Sequence, residues 1–169
     1  MKKTVLIITA LWASLSLRAE EESSYSATVD FSYATTYVFR GVELAKGTLM
    51  PSVEFGTGNF TAGIWSAQPL TDNIDNEIDF YAGFSIPLDD SWAVDVGAAL
   101  YYYPELDTSG GADEATWEPY VGISGEAGGF APGVYLYYDL TLEVLTIEGQ
   151  LGYSVPLEDI GSSLDFAAN

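Results

Sequence analysis

The sequence predicts an all-β protein, an antiparallel up-and-down transmembrane β-barrel of about 8–12 strands when complete. Three observations predict it. Apolar and polar side chains alternate with a two-residue period, acidic residues keep to one phase of that alternation, and short connections alternate with generally longer ones. Successive side chains of a strand point to opposite faces, so this alternation gives each strand one apolar and one polar face.

The first strand is predicted at 25–40, and its length exceeds the roughly 9–11 residues that a tilted membrane-spanning strand needs. Its even positions are mostly small or polar, and they include Asp30 and Arg40. The odd positions are apolar, aromatic or Thr: Tyr25, Ala27, Val29, Phe31, Tyr33, Thr35, Tyr37 and Phe39. We therefore expect the odd positions, Phe39 included, to form the apolar face.

Eight further strands follow from the same alternation, bounded by Gly, Pro, Asn and Asp. They are predicted at 48–57, 60–67, 77–87, 92–103, 116–126, 132–140, 144–155 and from 162 onwards. The phase of the third stays open, because Ile64 and Trp65 are adjacent and both large.

The connections between these strands alternate in length. Tight turns are predicted at 58–59, 88–91, 127–130 and 157–161, and longer links at 41–47, 68–76 and 104–115, with a shorter one near 141–143. Short turns on one side and longer loops on the other are typical of outer-membrane barrels.

Acidic residues share the strand face that carries Ser, Thr and Gly. On this basis we expect the polar faces to line a lumen, where charged side chains set ion selectivity. The candidate lumen and selectivity residues are Asp30, Arg40, Glu54, Glu77, Asp79, Asp95, Glu118 and Glu148. A soluble, lipocalin-like barrel with its apolar face turned inward is the alternative. Rings near the strand ends, such as Trp92 and Trp117, favour the membrane, where aromatic girdles occur.

The N-terminal residues 1–19 read as a signal peptide, with Lys2 and Lys3 before an apolar stretch and Ala19 as a small residue for cleavage. The barrel domain is then 20–169. Cleavage would leave Arg40 and Lys46 as the only cations against 25 acids, a net charge of −23. Such a charge argues against nucleic acid or phosphate as a partner.

The residue types also limit the chemistry. The chain has no histidine and no cysteine, which excludes histidine-based catalysis, His-ligated metals and thiolate sites. No phosphate-cradling glycine motif occurs. We expect no enzyme activity, no catalytic residue, no metal and no cofactor.

The stretch from 162 onwards looks like the first half of a strand. Because a single-chain bacterial barrel has an even strand number and no open edge, we expect the chain to be C-terminally truncated. A strand count that is off by one is the alternative.

A segment near the end of the first predicted strand carries a family resemblance. Tyr37, Phe39, Arg40 and Gly41 form a Y-x-F-R-G element within 36–43, followed by 51–55 and by Ala-Gly-Ile-Trp-Ser at 62–66. With 77–83 and 101–104, these pieces resemble the TorF family of proteobacterial porins. The resemblance implies an outer-membrane β-barrel of porin type, and it supplies no solute.

These observations together predict an outer-membrane porin that passes ions or small solutes through an acidic, cation-preferring lumen. The expected partners are the lipid bilayer and small solutes or cations. The alternative is a structural or surface-interaction barrel with a plugged lumen. Arg40 is expected at the electrostatic centre of the lumen, paired with Glu54 or Glu77.

Overall fold

The computed structural model describes residues 25–71, 74–157 and 162–168. These residues form one antiparallel sheet of nine strands that pair strictly in chain order and curl into a half-barrel. The strands are β1 (Tyr25–Phe39), β2 (Val42–Thr57), β3 (Phe60–Pro69), β4 (Glu77–Pro87), β5 (Trp92–Tyr102), β6 (Ala115–Gly125), β7 (Phe130–Asp139), β8 (Val144–Leu157) and β9 (Ser162–Ala168). The predicted all-β, antiparallel, up-and-down fold is confirmed.

The two ends of the sheet differ in their connections. The end that we call the loop end carries 40–41, 70–76, 103–114 and 140–143, and the opposite turn end carries 58–59, 88–91 and 126–129. A short 3₁₀ turn, Thr108–Gly110, lies in the longest of the loops. Within the described residues, no helix is long and apolar enough to cross a membrane.

The predicted link at 41–47 is wrong. β1 and β2 are joined by a two-residue turn at Arg40 and Gly41, and β2 starts at Val42. Both turn residues have positive φ, 47° and 80°, as a type I′ hairpin turn requires. This turn therefore lets β2 pair with β1 almost from its first residue.

The strand faces match the predicted alternation over most of the sheet. Phe31, for example, is 65% exposed on the convex face while its neighbour Ser32 is buried on the concave face. In β3, Ile64 points to the convex face, while Trp65 lies on the concave face and contacts the Tyr37 ring with 5.7 Å between centroids. The open phase of the third strand is thereby resolved.

The alternation fails near the end of β1. Thr48 is buried, and so is Ala45 three residues earlier, so the inward phase of β2 changes between them. Gly47 lies at this point with a φ of 62°, a left-handed conformation that interrupts the regular pleat. In β1 the inward phase changes at the same level, and Tyr37 and Phe39 turn to the concave face. The predicted convex position of these two rings is wrong.

Candidate functional site

The concave face carries the polar side chains of the sheet, and all eight candidate residues from the sequence lie on it or reach it. The curl of the sheet brings side chains from distant strands together there. The clearest case is Arg40, whose guanidinium donates two hydrogen bonds to Glu118 on β6, Nη1 to Oε2 at 2.7 Å and Nη2 to Oε1 at 2.8 Å.

The predicted partners of Arg40 were wrong. Its partner is Glu118, which is only 2% exposed, whereas Glu54 and Glu77 accept hydrogen bonds from tyrosines. Glu118 also accepts a hydrogen bond from the Tyr101 hydroxyl at 2.8 Å. The hydrogen bonds to Glu118 raise the pKa of Arg40 above its usual value, against the opposing effect of burial. The guanidinium therefore stays charged in the cluster.

Tyrosines satisfy three of the other candidate carboxylates on this face, Glu54, Glu77 and Asp95. Glu77, which is 5% exposed, accepts from Tyr103 at 3.0 Å and from Tyr37 at 3.3 Å. Glu54 accepts from Tyr81 at 3.0 Å. Burial and the neighbouring Glu77 raise the pKa of Tyr103, which lies just beyond β5, so its hydroxyl remains a neutral donor.

Asp95 shows the same arrangement on β5, accepting from Tyr135 at 3.0 Å and from Ser124 at 2.7 Å. Glu148 on β8 accepts from the Gln150 side chain at 2.7 Å. In Asp30 and Asp79, by contrast, the Oδ1 atom is buried and accepts no hydrogen bond from the described residues. These two carboxylates lie outside the tyrosine pattern.

Glycines make room for the tyrosine rings. A Cβ at Gly122 would collide with the Tyr135 ring, and one at Gly63 would collide with the Tyr81 ring. Each ring thus lies along the concave wall over a glycine of the preceding strand, an arrangement that stabilises glycine in sheets. The rings cover backbone and hold their hydroxyls beside the carboxylates at the same time.

Sequence reasoning missed the role of these tyrosines and also missed Asp139. The signal for the tyrosines was present, because Tyr81, Tyr101 and Tyr120 share the strand phase of the acids and glycines. Asp139 is 7% exposed, and its Oδ1 accepts from Thr116 at 2.6 Å and from the backbone amide of Leu142 at 2.7 Å. It therefore holds the 140–143 turn.

Two cavities open on the concave face. The one towards the loop end has a volume of about 700 Å³, and the one towards the turn end about 470 Å³. Tyr101 and Glu118 line both of them. The Arg40–Glu118 pair therefore lies where the two cavities meet. Among the described residues, no group of His, Cys, Asp or Glu is arranged to hold a metal ion.

Fold and site together define an all-β antiparallel sheet with an acidic concave face and an apolar convex face. The chain belongs to the bacterial family Gcw_chp, described as "Bacterial protein of unknown function", whose model matches residues 18–138. No curated protein and no solved structure matches the chain. The resemblance to TorF-family porins is not confirmed by this match and remains a prediction.

Proposed function

We propose that the protein is an outer-membrane β-barrel of porin type, through which ions or small solutes pass passively along an acidic, cation-preferring lumen. In this proposal the convex face contacts lipid and the concave face lines the lumen. The segment 1–19, which lies outside the described residues, would direct export.

The observation that carries the proposal is the near absence of an apolar core. Among the described residues, the only buried apolar side chains are Ala45 and Ala67, although 48% of the chain is hydrophobic. The large apolar side chains lie exposed instead, including Phe31 at 65% and Ile147 at 68%. A soluble monomer rarely exposes contiguous apolar patches beyond a few hundred Å². A lipid bilayer is a solvent in which such a face is stable.

The distribution of charge supports the same proposal. The candidate carboxylates lie on the concave face, and Arg40 is the one described cation that reaches them. Lys46, the other cation, is exposed near the loop end of β2 beside Glu43, 3.6 Å away. A concave face with this negative excess attracts cations and repels anions. The resemblance to TorF-family porins favours the same function.

A structural or surface-interaction barrel with a plugged lumen is the second candidate. The observation that favours it is the Arg40–Glu118 pair, because this pair ties the β1–β2 turn across the concave face. If the tie is permanent, it closes the route between the two cavities.

Planar-bilayer recording on the refolded full chain separates the two candidates. A porin gives discrete conductance steps, and a reversal potential under a KCl gradient that indicates cation preference. A plugged barrel is silent. Folding is checked in the same sample by a gel shift between unboiled and boiled protein, so that silence from folded protein contradicts the porin proposal.

A further inference from the structure

The guanidinium of Arg40 lies between a carboxylate and two aromatic rings. It lies 4.7 Å from the centroid of the Phe39 ring and 4.8 Å from that of Tyr137, and it pairs with both oxygens of Glu118. A carboxylate fork and aromatic faces are the groups that recognise a guanidinium. The chain's own guanidinium therefore makes the contacts that these groups offer to a guanidinium.

The backbone indicates that Arg40 is present for its side chain rather than for the turn. It has a φ of 47°, in the left-handed region that only Gly, Asn and Asp adopt readily. The preferred pair for a type I′ turn is Asn-Gly, and Arg-Gly replaces it here. Backbone strain of this kind persists where the surrounding contacts compensate for it. Here the compensating contacts are those of the guanidinium with Glu118 and Tyr137.

The position of the site gives it a role in passage. Glu118 and Tyr101 line both cavities. A solute that moves between the cavities therefore passes the Glu118 carboxylate, which is paired with Arg40. Glu118 is 2% exposed, and without Arg40 it would retain Tyr101 as its one described hydrogen-bond donor. A buried carboxylate left in this state is destabilised until it pairs with another cation or takes up a proton.

We propose that Glu118, Tyr101 and Tyr137 form a recognition site for small organic cations that carry a guanidinium or ammonium group, and that Arg40 is its tethered, displaceable occupant. The binding part is independent of transport. The gating part, in which a passing cation exchanges with Arg40, rests on the proposed porin function.

The test uses Arg40→Asn in the full chain, because Asn suits the left-handed turn position and removes the guanidinium. Guanidinium chloride at low millimolar concentration is the probe. Urea, which is planar and uncharged, is the control at the same concentration. Lys46→Asn removes the other, outward cation, and Arg40→Asn with Glu118→Gln removes the carboxylate as well.

Guanidinium should raise the thermal unfolding midpoint of Arg40→Asn saturably and restore most of the drop that the substitution causes. It should not do so for the double variant or for Lys46→Asn, and urea should have no effect. An equal response to urea, or an equal response of the double variant, overturns the proposal. If Arg40→Asn does not refold, its refolding yield with and without guanidinium is compared, and an unchanged yield overturns the proposal equally.

Conductance separates this proposal from the function on which its gating part rests. Arg40→Asn should conduct more than the wild type, and guanidinium should reduce its potassium current. If the wild type conducts and the Arg40→Asn variant carries the same current, the gating part is overturned. Saturable guanidinium binding in a protein that never conducts would support the recognition site and overturn the porin function.

Discussion

Arg40 and Glu118 are 78 residues apart in the chain, yet they form a bidentate ion pair with N–O distances of 2.7 and 2.8 Å. The pair joins the first hairpin turn to the sixth strand. It therefore depends on the curl of the whole sheet, and it also helps to maintain that curl. Parallel N–H···O bonds from one guanidinium to one carboxylate are among the stronger polar contacts in proteins.

Arg40→Asn should lower the free energy of unfolding by about 3 kcal/mol, because it leaves the buried Glu118 without its cation. Lys46→Asn is the matched control. Lys46 is exposed and 3.6 Å from Glu43, so its loss should cost less than about 1 kcal/mol. Urea titration of both variants in lipid gives the comparison, and equal losses would contradict a structural role for the Arg40–Glu118 pair.

Phe31→Lys should destabilise the folded protein in a bilayer by about 2–4 kcal/mol if residue 31 lies near the midplane. Phe31 is 65% exposed on the convex face, and the neighbouring Asp30 lies on the other face. Asp30→Asn should therefore cost far less. Refolding titrations into liposomes check both substitutions. Little loss from Phe31→Lys would show that the convex face does not contact lipid.

Val94→Lys and Asp95→Asn repeat the comparison on β5. Val94 lies on the convex face, where Ile86 and Ile123 are its partners on the neighbouring strands. Asp95 lies on the concave face and accepts hydrogen bonds from Ser124 and Tyr135. We expect the lysine to cost about 2–4 kcal/mol near the midplane, and more than the asparagine, in the same titration. The reverse order would mean that the face assignment of β5 is wrong.

Gly122→Ala should lower stability by about 1–3 kcal/mol, because its methyl group would overlap the Tyr135 ring. Gly149→Ala is the control, since no heavy atom beyond its chain neighbours lies within 4 Å of the Cβ position there. Tyr135→Leu combined with Gly122→Ala should recover part of the loss. Denaturation midpoints of Gly122→Ala, Gly149→Ala, Tyr135→Leu and the double variant test this, and additive losses from the two single substitutions would exclude a direct contact between Gly122 and the ring.

How far the sequence predicts this structure can be judged at β1. The two-residue alternation places Asp30 and Phe31 on their correct faces, because a regular pleat follows that period. It fails at Tyr37 and Phe39, because the left-handed Gly47 on the partner strand interrupts the pleat and no period reveals a backbone angle. The pairing of Arg40 with Glu118 was equally hidden, because it depends on how far the sheet curls.

The polar contacts show a similar division. The phase of each strand placed Glu54, Asp95 and Glu118 on one face, as the structure does. It did not indicate that tyrosine hydroxyls, rather than cations, satisfy Glu54, Glu77 and Asp95. The role of Tyr81 and Tyr101 could have been recognised, because each lies on the same strand face as the acidic residues. A large ring on that face is unexpected unless its hydroxyl donates to a carboxylate.

Cysteine labelling tests most directly whether the convex face contacts lipid while the concave face contacts water. The chain has no cysteine, so single cysteines at positions 30, 31, 94 and 95 report on each face without background. Each variant is refolded into liposomes and treated with a membrane-impermeant maleimide. We expect labelling at 30 and 95 and protection at 31 and 94. Labelling at 31 and 94 with protection at 30 and 95 would contradict this assignment of the faces.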